Sequence, residues 1–436
     1  MQTICAISTP YGTGGIAVLR VSGEDAIRIV DSLFVGRVAL ADTSANTVRH
    51  GRIERGGETL DDVLCSVFRA PHSFTGEDTV EIACHGSLYI QQTLLQWLVD
   101  VGAHMAQPGE FTRRAFLNGK MDLAQAEAVA DLIAAQSKAE KDLAISQLRG
   151  SVSNELNSLR ERLLHFTSLI ELELDFADHE ELEFADRTEL TDLAGGIEQK
   201  LSALMTSFRT GNAIRNGIPV AIIGAPNVGK STLLNALLGE QRAIVSDIQG
   251  TTRDTIEDTL VLDGILFRLI DTAGLRESQD ALENMGMERS RKAAQQAQII
   301  IYLSDNGQWP MDIGHSGTLI RVLNKIDQLP LTNYQSPIAI SAKNGEIELL
   351  RQELVRVARA GMQTTAVMLS NARHYEAVSR AHEAIVRVQQ GLADGLSGEL
   401  LSMDLQDCLA ALGEVTGQIT NQEVLSNIFS KFCIGK

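Results

Sequence analysis

Apolar and polar positions divide the chain into three kinds of pattern. From Thr3 to Arg20 short apolar runs flank a Gly-rich turn, Tyr11-Gly12-Thr13-Gly14-Gly15, and further strand-like runs occur at 63–68 and 79–83. These predict a mixed α/β domain. After Asp122 the period lengthens. Leu123, Ala126, Ala130 and Ile133 recur at spacings of three and four, as do Leu156, Leu159, Leu163, Phe166 and Ile170, which predicts long amphipathic helices. Near Arg215 the pattern turns to Val220-Ala221-Ile222-Ile223 and a second Gly-rich loop, opening alternating strands and helices as far as about Ala358. Helical spacing then returns at Val378, Ala381, Ile385 and Val388, at Leu401, Leu405, Cys408 and Leu412, and at Val424, Leu425, Ile428 and Phe429.

Neither helical half need bury its stripes alone, so the simplest organisation is a helical domain interrupted by an inserted α/β domain. The expected fold class is multidomain α/β plus all-α, divided at 1–118, 119–215, 216–358 and 359–436. A length of 436 residues exceeds one ordinary core and agrees with several domains. The balance of 38 Lys plus Arg against 56 Asp plus Glu, a net charge of −18, excludes a broad electrostatic embrace of nucleic acid, so any RNA contact is local or shared. Cys5, Cys65, Cys84, Cys408 and Cys433 are scattered and odd in number, which reads as reduced thiols in a cytoplasmic protein. Met1 to Thr9 lacks a basic head and apolar stretch, and no apolar segment approaches the roughly 20 residues that span a bilayer, so no membrane association is expected. The acidic stretch 175–186, with His179, Glu180, Glu181 and Glu183, reads as a solvated helix end or linker rather than a cation site.

Candidate chemistry concentrates in the inserted segment. Gly224-Ala225-Pro226-Asn227-Val228-Gly229-Lys230-Ser231 fits GxxxxGK[ST] directly after an apolar strand and before a helical run. In that setting backbone N–H groups close on phosphate oxygens, Lys230 reaches the outer phosphates and Ser231 ligates magnesium. Gly250-Thr251-Thr252-Arg253-Asp254 supplies a switch whose Thr252 completes the magnesium shell. Two strand-like runs flank Asp263-Gly264, a hairpin signal, and the second ends at Asp271-Thr272-Ala273-Gly274, where Asp271 holds magnesium through water and Gly274 meets the γ-phosphate. Asn324-Lys325-Ile326-Asp327 follows another apolar run. An aspartate there accepts from the two N–H donors that guanine has and adenine lacks, which favours GTP over ATP. Ser341-Ala342-Lys343 closes the base pocket.

Hydrolysis needs an oriented water and a counter-charge. The position after Asp271-Thr272-Ala273-Gly274 is Leu275, which cannot polarise water. Among the carboxylates that follow, Glu277, Asp280 and Glu283, the last is the candidate, with an ordinary charge at a helix N-terminus as the alternative. No arginine finger is assignable from sequence, whereas Asn227 offers an oxygen beside the phosphates where a monovalent cation could sit.

The chain also resembles the MnmE (TrmE) tRNA-modification GTPases along nearly its whole length. The shared residues are Gly15-Ile16-Ala17-Val18-Leu19-Arg20-Val21-Ser22-Gly23, Ser73-Phe74-Thr75-Gly76-Glu77-Asp78, Gly109-Glu110-Phe111-Thr112-Arg113-Arg114-Ala115-Phe116-Leu117-Asn118-Gly119-Lys120, Met121-Asp122-Leu123-Ala124-Gln125-Ala126-Glu127 and Phe432-Cys433-Ile434-Gly435-Lys436. The resemblance implies an N-terminal α/β domain that binds folate and forms a homodimer, and a Ras-like P-loop GTPase domain inserted in the helical domain. It maps folate contacts to Arg20, Glu81, Lys120 and Lys436. Arg20 and the lysines suit an anionic glutamate tail, and Glu81 accepts from pterin nitrogens. It further implies potassium held by Asn227, Ser246, Ile248 and Thr251 in place of an arginine finger, and it matches Glu283 to a water-orienting glutamate.

On this reading Glu283, Lys230 and Thr252 are the catalytic residues, and Ser231 and Thr252 the magnesium ligands. The nucleotide contacts are Asn227, Val228, Gly229, Lys230, Ser231 and Thr232; Ser246, Asp247, Ile248, Gln249, Gly250, Thr251 and Thr252; Asp271, Thr272, Ala273 and Gly274; and Asn324, Lys325, Asp327, Ser341, Ala342 and Lys343. The implied cofactors are GTP, Mg2+, K+ and 5,10-methylenetetrahydrofolate, with 5-formyltetrahydrofolate as analogue. The implied partners are tRNA and a separate FAD-dependent protein, with which a carboxymethylaminomethyl or aminomethyl group is placed on the wobble uridine of certain tRNAs. Cys433 falls at the family's C-terminal cysteine, where a thiol role and simple packing remain open. Two departures are visible: Thr13 stands where relatives often carry arginine, and the span 305–319 is short. The alternatives are a regulatory or ribosome-assembly GTPase, which would more usually append a basic RNA-binding domain, and a folate enzyme with an idle nucleotide domain.

Overall fold

The computed structural model describes residues 1–175, 187–239, 258–270, 292–308, 317–328, 338–362 and 367–435. The chain forms two compact units, residues 1–130 with 413–436, and residues 131–412. Of the acidic stretch 175–186, residues 176–186 lie outside the described residues.

The first unit is built on seven described strands: β1 (Ile4–Ile7), β2 (Gly14–Ser22), β3 (Phe34–Gly36), β4 (Thr47–Arg55), β5 (Glu58–Phe68), β6 (Thr79–Gly86) and β7 (His104–Met105). They lie in the order β3-β4-β5-β6-β2-β1-β7, antiparallel throughout except for β1 with β7. Alternation explains which face is buried. Ala17, Leu19 and Val21 of β2, Val80, Ile82 and Cys84 of β6, and Val63, Cys65 and Val67 of β5 share one core with Leu94 and Leu98 of the helix Leu88–Asp100. The opposite face carries the interleaved residues, among them Arg20, Glu81, Ala83 and Leu64. Strand β4 is absent from the sequence expectation because Arg49, Arg52, Glu54 and Arg55 break its apolar signal; sheet pairing on both sides imposes it.

In the second unit the expected helical stripe is fully realised: Leu156, Leu159, Leu163, Phe166 and Ile170 of the helix Ser151–Asp175 are all buried. The helices Arg187–Asn216 and Ala372–Ala393 pack together, Phe208 stacking on Tyr375 at 4.5 Å between ring centroids. Two expectations need correction. Ile133, and in the first unit Val424, assigned to apolar stripes, are exposed at 46% and 37%, because each lies near a helix end, in the last turn of Leu123–Ala134 and the first of Gln422–Phe429.

The inserted segment contributes a second sheet of six described strands: β8 (Ile218–Gly224), β9 (Asp258–Leu262), β10 (Ile265–Leu269), β11 (Ile299–Ser304), β12 (Thr318–Leu323) and β13 (Ile338–Ala339). Their order is β13-β12-β11-β8-β10-β9, parallel except for β9. Runs such as Ile299-Ile300-Ile301 are apolar at every position because parallel strands are covered on both faces, here by two separate clusters. Asp263 and Gly264 turn β9 into β10 with φ of 49° and 78°, the paired left-handed conformation that the Asp-Gly signal predicts. The architecture is therefore α/β plus all-α, with the parallel sheet inserted between helical segments.

Candidate nucleotide and folate sites

Strand β8 ends at Gly224, and the helix Lys230–Leu238 begins six residues later, so residues 225–229 form the loop at the carboxyl edge of the second sheet. Gly229 caps that helix with φ of 99°; a Cβ there would lie 2.4 Å from Nδ2 of Asn324. Glycine is thus required both by the backbone and by the approach of Asn324. Lys230 Nζ donates to Gly224 O at 3.0 Å and Ala225 O at 2.8 Å, bringing the ammonium back over the loop. Partial burial lowers its pKa.

The loop after β12 is bonded directly to this one. Asn324, 2% exposed, donates from Nδ2 to Val228 O at 2.8 Å and accepts from Ala342 N at 3.0 Å. Lys325 Nζ donates to Asn227 O at 2.7 Å. Ser341 Oγ donates to Asp327 Oδ1 at 2.8 Å, a bond that, with Lys343 nearby, holds the Asp327 carboxyl below the usual carboxylate range. One buried carboxamide therefore ties the phosphate-loop motif to the Ser341-Ala342-Lys343 motif. The structure brings together Asn227, Val228, Gly229, Lys230, Ser231 and Thr232 with Asn324, Lys325, Asp327, Ser341, Ala342 and Lys343. Ser246, Asp247, Ile248, Gln249, Gly250, Thr251 and Thr252, then Asp271, Thr272, Ala273 and Gly274, and Glu283, lie outside the described residues.

In the first unit Arg20 of β2 and Glu81 of β6 are cross-strand partners, and both guanidinium bonds, at 2.9 and 2.7 Å, fall on one carboxylate oxygen. Phe74 and Phe111 cover the guanidinium at 5.4 and 5.5 Å. Asn118 Nδ2 donates to Thr75 O at 2.7 Å and Lys120 Nζ to Pro71 O at 2.9 Å, so the segment carrying Lys120 is anchored to the loop that carries Phe74. The C-terminal tail arrives at the same edge: Ser8 Oγ donates to Gly435 O at 3.3 Å, and Gly109 N to Cys433 O at 3.4 Å. Three of the four expected folate residues thus share one neighbourhood, while Lys436 lies outside the described residues. Cys433 is exposed; Cys5, Cys65, Cys84 and Cys408 are buried free thiols. The covering aromatics were not singled out from sequence, although both sit inside quoted motifs. A bulky ring next to a glycine-bounded motif is the only signal they gave.

Comparison with known proteins bears on the family of the chain. A family model described as the MnmE helical domain matches residues 123–433, and one described as the GTP-binding protein TrmE N-terminus matches residues 3–120. A tRNA modification GTPase MnmE from Parabacteroides distasonis is 54% identical over 461 aligned positions, covering 100% of both chains. The chain belongs to the MnmE family of tRNA modification GTPases. Further MnmE relatives from Porphyromonas gingivalis and Bacteroides thetaiotaomicron are 49% and 50% identical, each covering 100% of this chain and 98% and 99% of their own. A solved structure of the G domain of the T. maritima FeoB iron transporter aligns at 23% identity, over 32% of this chain and 98% of that one. Its TM-score of 0.24 is too low to bear on the arrangement of this MnmE-family chain.

Proposed function

We propose that this MnmE-family chain hydrolyses GTP in the cytoplasm and, with an FAD-dependent partner, modifies the wobble uridine of certain tRNAs, adding a carboxymethylaminomethyl or aminomethyl group. The observation that carries the GTP reading is the clamp on Asn324. A buried side chain that joins Val228 to Ala342 holds the loop carrying the phosphate-binding motif and the loop carrying Ser341-Ala342-Lys343 at a set spacing, which supports their acting on one nucleotide. Asp327, ionised and held by Ser341, then accepts from the guanine N–H donors. Lys230 would exchange its two loop carbonyls for the outer phosphates, and Ser231, with Thr252, would hold magnesium. Asn227, with Ser246, Ile248 and Thr251, would hold potassium, which would supply the positive charge an arginine finger supplies elsewhere, and Glu283 would orient the water.

Folate fits the first unit by chemistry. Arg20 and Glu81 neutralise one another across the strands, so a ligand with both donor nitrogens and carboxylates can take each in turn, with Phe74 and Phe111 beside it. 5,10-Methylenetetrahydrofolate is the carbon source on this reading, 5-formyltetrahydrofolate its analogue, and Lys120 and Lys436 meet the tail. The open face of the same sheet leaves Ile16, Val48 and Leu64 exposed at 71%, 57% and 47%, which supports a homodimer formed through it. The domains proposed are 1–118, 119–215, 216–358 and 359–436. No described helix is long and apolar enough to cross a membrane. Mass spectrometry of wobble nucleosides from cells lacking the chain tests the reading: loss of the modified uridine that returns with wild type but not with Lys230→Ala is expected, and an unchanged nucleoside profile would refute it.

A further inference from the structure

The carboxyl ends of β8, β11 and β12 lie side by side, Leu303 paired with Gly224 and Ser304 with Leu323. Asp305 is the first residue past β11, so it emerges between the phosphate loop and the Asn324–Asp327 loop. Its Oδ2 accepts from Lys325 Nζ at 2.9 Å, and the same ammonium donates to Asn227 O at 2.7 Å. Lys325 and Asn227 are both non-glycine residues in the left-handed conformation, with φ of 61° and 62°. Such backbone persists only where its surroundings hold it, and here one ammonium links the two strained residues.

We propose that Asp305 is a positioning residue for the monovalent cation at Asn227. The inference rests on the potassium reading given above and adds a residue to it. Two physical effects converge. The Lys325 ammonium sits against the backbone of the very residue expected to ligate a cation, and an uncompensated positive charge there would repel a second one; the Asp305 carboxylate offsets it. Asp305 also fixes where Lys325 lies, and through Lys325 the turn that presents the Asn227 carboxamide, in the way that outer-shell partners orient metal ligands. The Asp305–Lys325 pair is about one-third exposed on both sides, so it adds little to folding stability.

Asp305→Asn keeps the shape and removes the charge; Asp305→Glu keeps the charge. Full-length wild type and both variants are titrated with potassium chloride, choline chloride holding ionic strength constant. Two quantities are read: GTP turnover, and binding of a fluorescent non-hydrolysable GTP analogue. In wild type both respond to potassium and not to sodium; a wild type indifferent to potassium would remove the reading on which the inference rests. For Asp305→Asn the half-saturating potassium rises about tenfold in both readouts while kcat at saturating potassium stays within about threefold, and Asp305→Glu restores most of the difference. Half-saturation unchanged in Asp305→Asn, or nucleotide affinity weakened equally with and without potassium, would overturn the role assigned to Asp305.

Discussion

The Asp327 carboxyl is kept ionised by the Ser341 hydroxyl that donates to it and by the neighbouring Lys343. Because its folded pKa is depressed, the ionised form is present above the ordinary carboxylate range and is lost only as pH falls through the depressed value. The preference for GTP over ATP measured by fluorescence titration should therefore stay level from neutral pH down to about 5, and loss of that preference centred near 6 would assign base recognition to another group. Asp327→Asn should weaken GTP at least about 100-fold and leave the thermal transition in place, since the donor pair of guanine then meets a mismatched amide. The cysteines give a second residue-level test. Burial pushes the Cys5 and Cys84 thiols up to about 11 and those of Cys65 and Cys408 to about 12, whereas Cys433 is exposed. A thiol reagent should label folded protein once, at Cys433, and peptide mapping that finds a second rapid site would contradict the burial.

Among the elements, the helix Lys138–Leu148 is tied at both ends. Its first turn is capped by Ser137, which accepts from Glu140 N at 3.2 Å, and Ala139 N donates to Gly264 O of the β9–β10 turn at 3.2 Å. Its last turn carries Gln147, whose Nε2 donates to Met368 O at 3.1 Å and Ser370 Oγ at 2.9 Å. Ser137→Ala should cost about 1 kcal/mol, read as a lower denaturation midpoint, because one N-terminal N–H loses its acceptor. Substituting Gly264 with valine should cost more than that cap: φ of 78° disfavours a β-branched side chain, and a Cβ there would lie 3.4 Å from Lys138 Cβ. The sequence made some of these elements legible and not others. The glycine spacing in residues 224–230, the Asp263-Gly264 turn and the three-and-four stripe from Leu156 to Ile170 are local signals, each imposed by backbone geometry or by a single buried face. Strand β4, the pairing of Arg20 with Glu81, the aromatic cover over Arg20 and the place of Asp305 between two loops are not. All depend on which strands become neighbours, and that is settled by long-range packing rather than by any window of residues.

At the scale of the whole molecule, a chain of net charge −18 has little general attraction for RNA, so tRNA must be held by local contacts or with the help of a partner. On the homodimer proposed through the open face of the first sheet, placing glutamate at Ile16 and Leu64 together should leave the chain folded by circular dichroism while sedimentation shifts from dimer to monomer; a wild type that sediments as a monomer, or a variant that still sediments as wild type, would rule out that face. Every larger step, however, depends on whether the carboxyl edge of the second sheet grips a guanine nucleotide. Calorimetric titration of the purified full-length chain with GDP, and separately with ADP, tests this most directly. One GDP per chain with no heat from ADP is the predicted result, and silence with both nucleotides, or equal binding of the two, would contradict it.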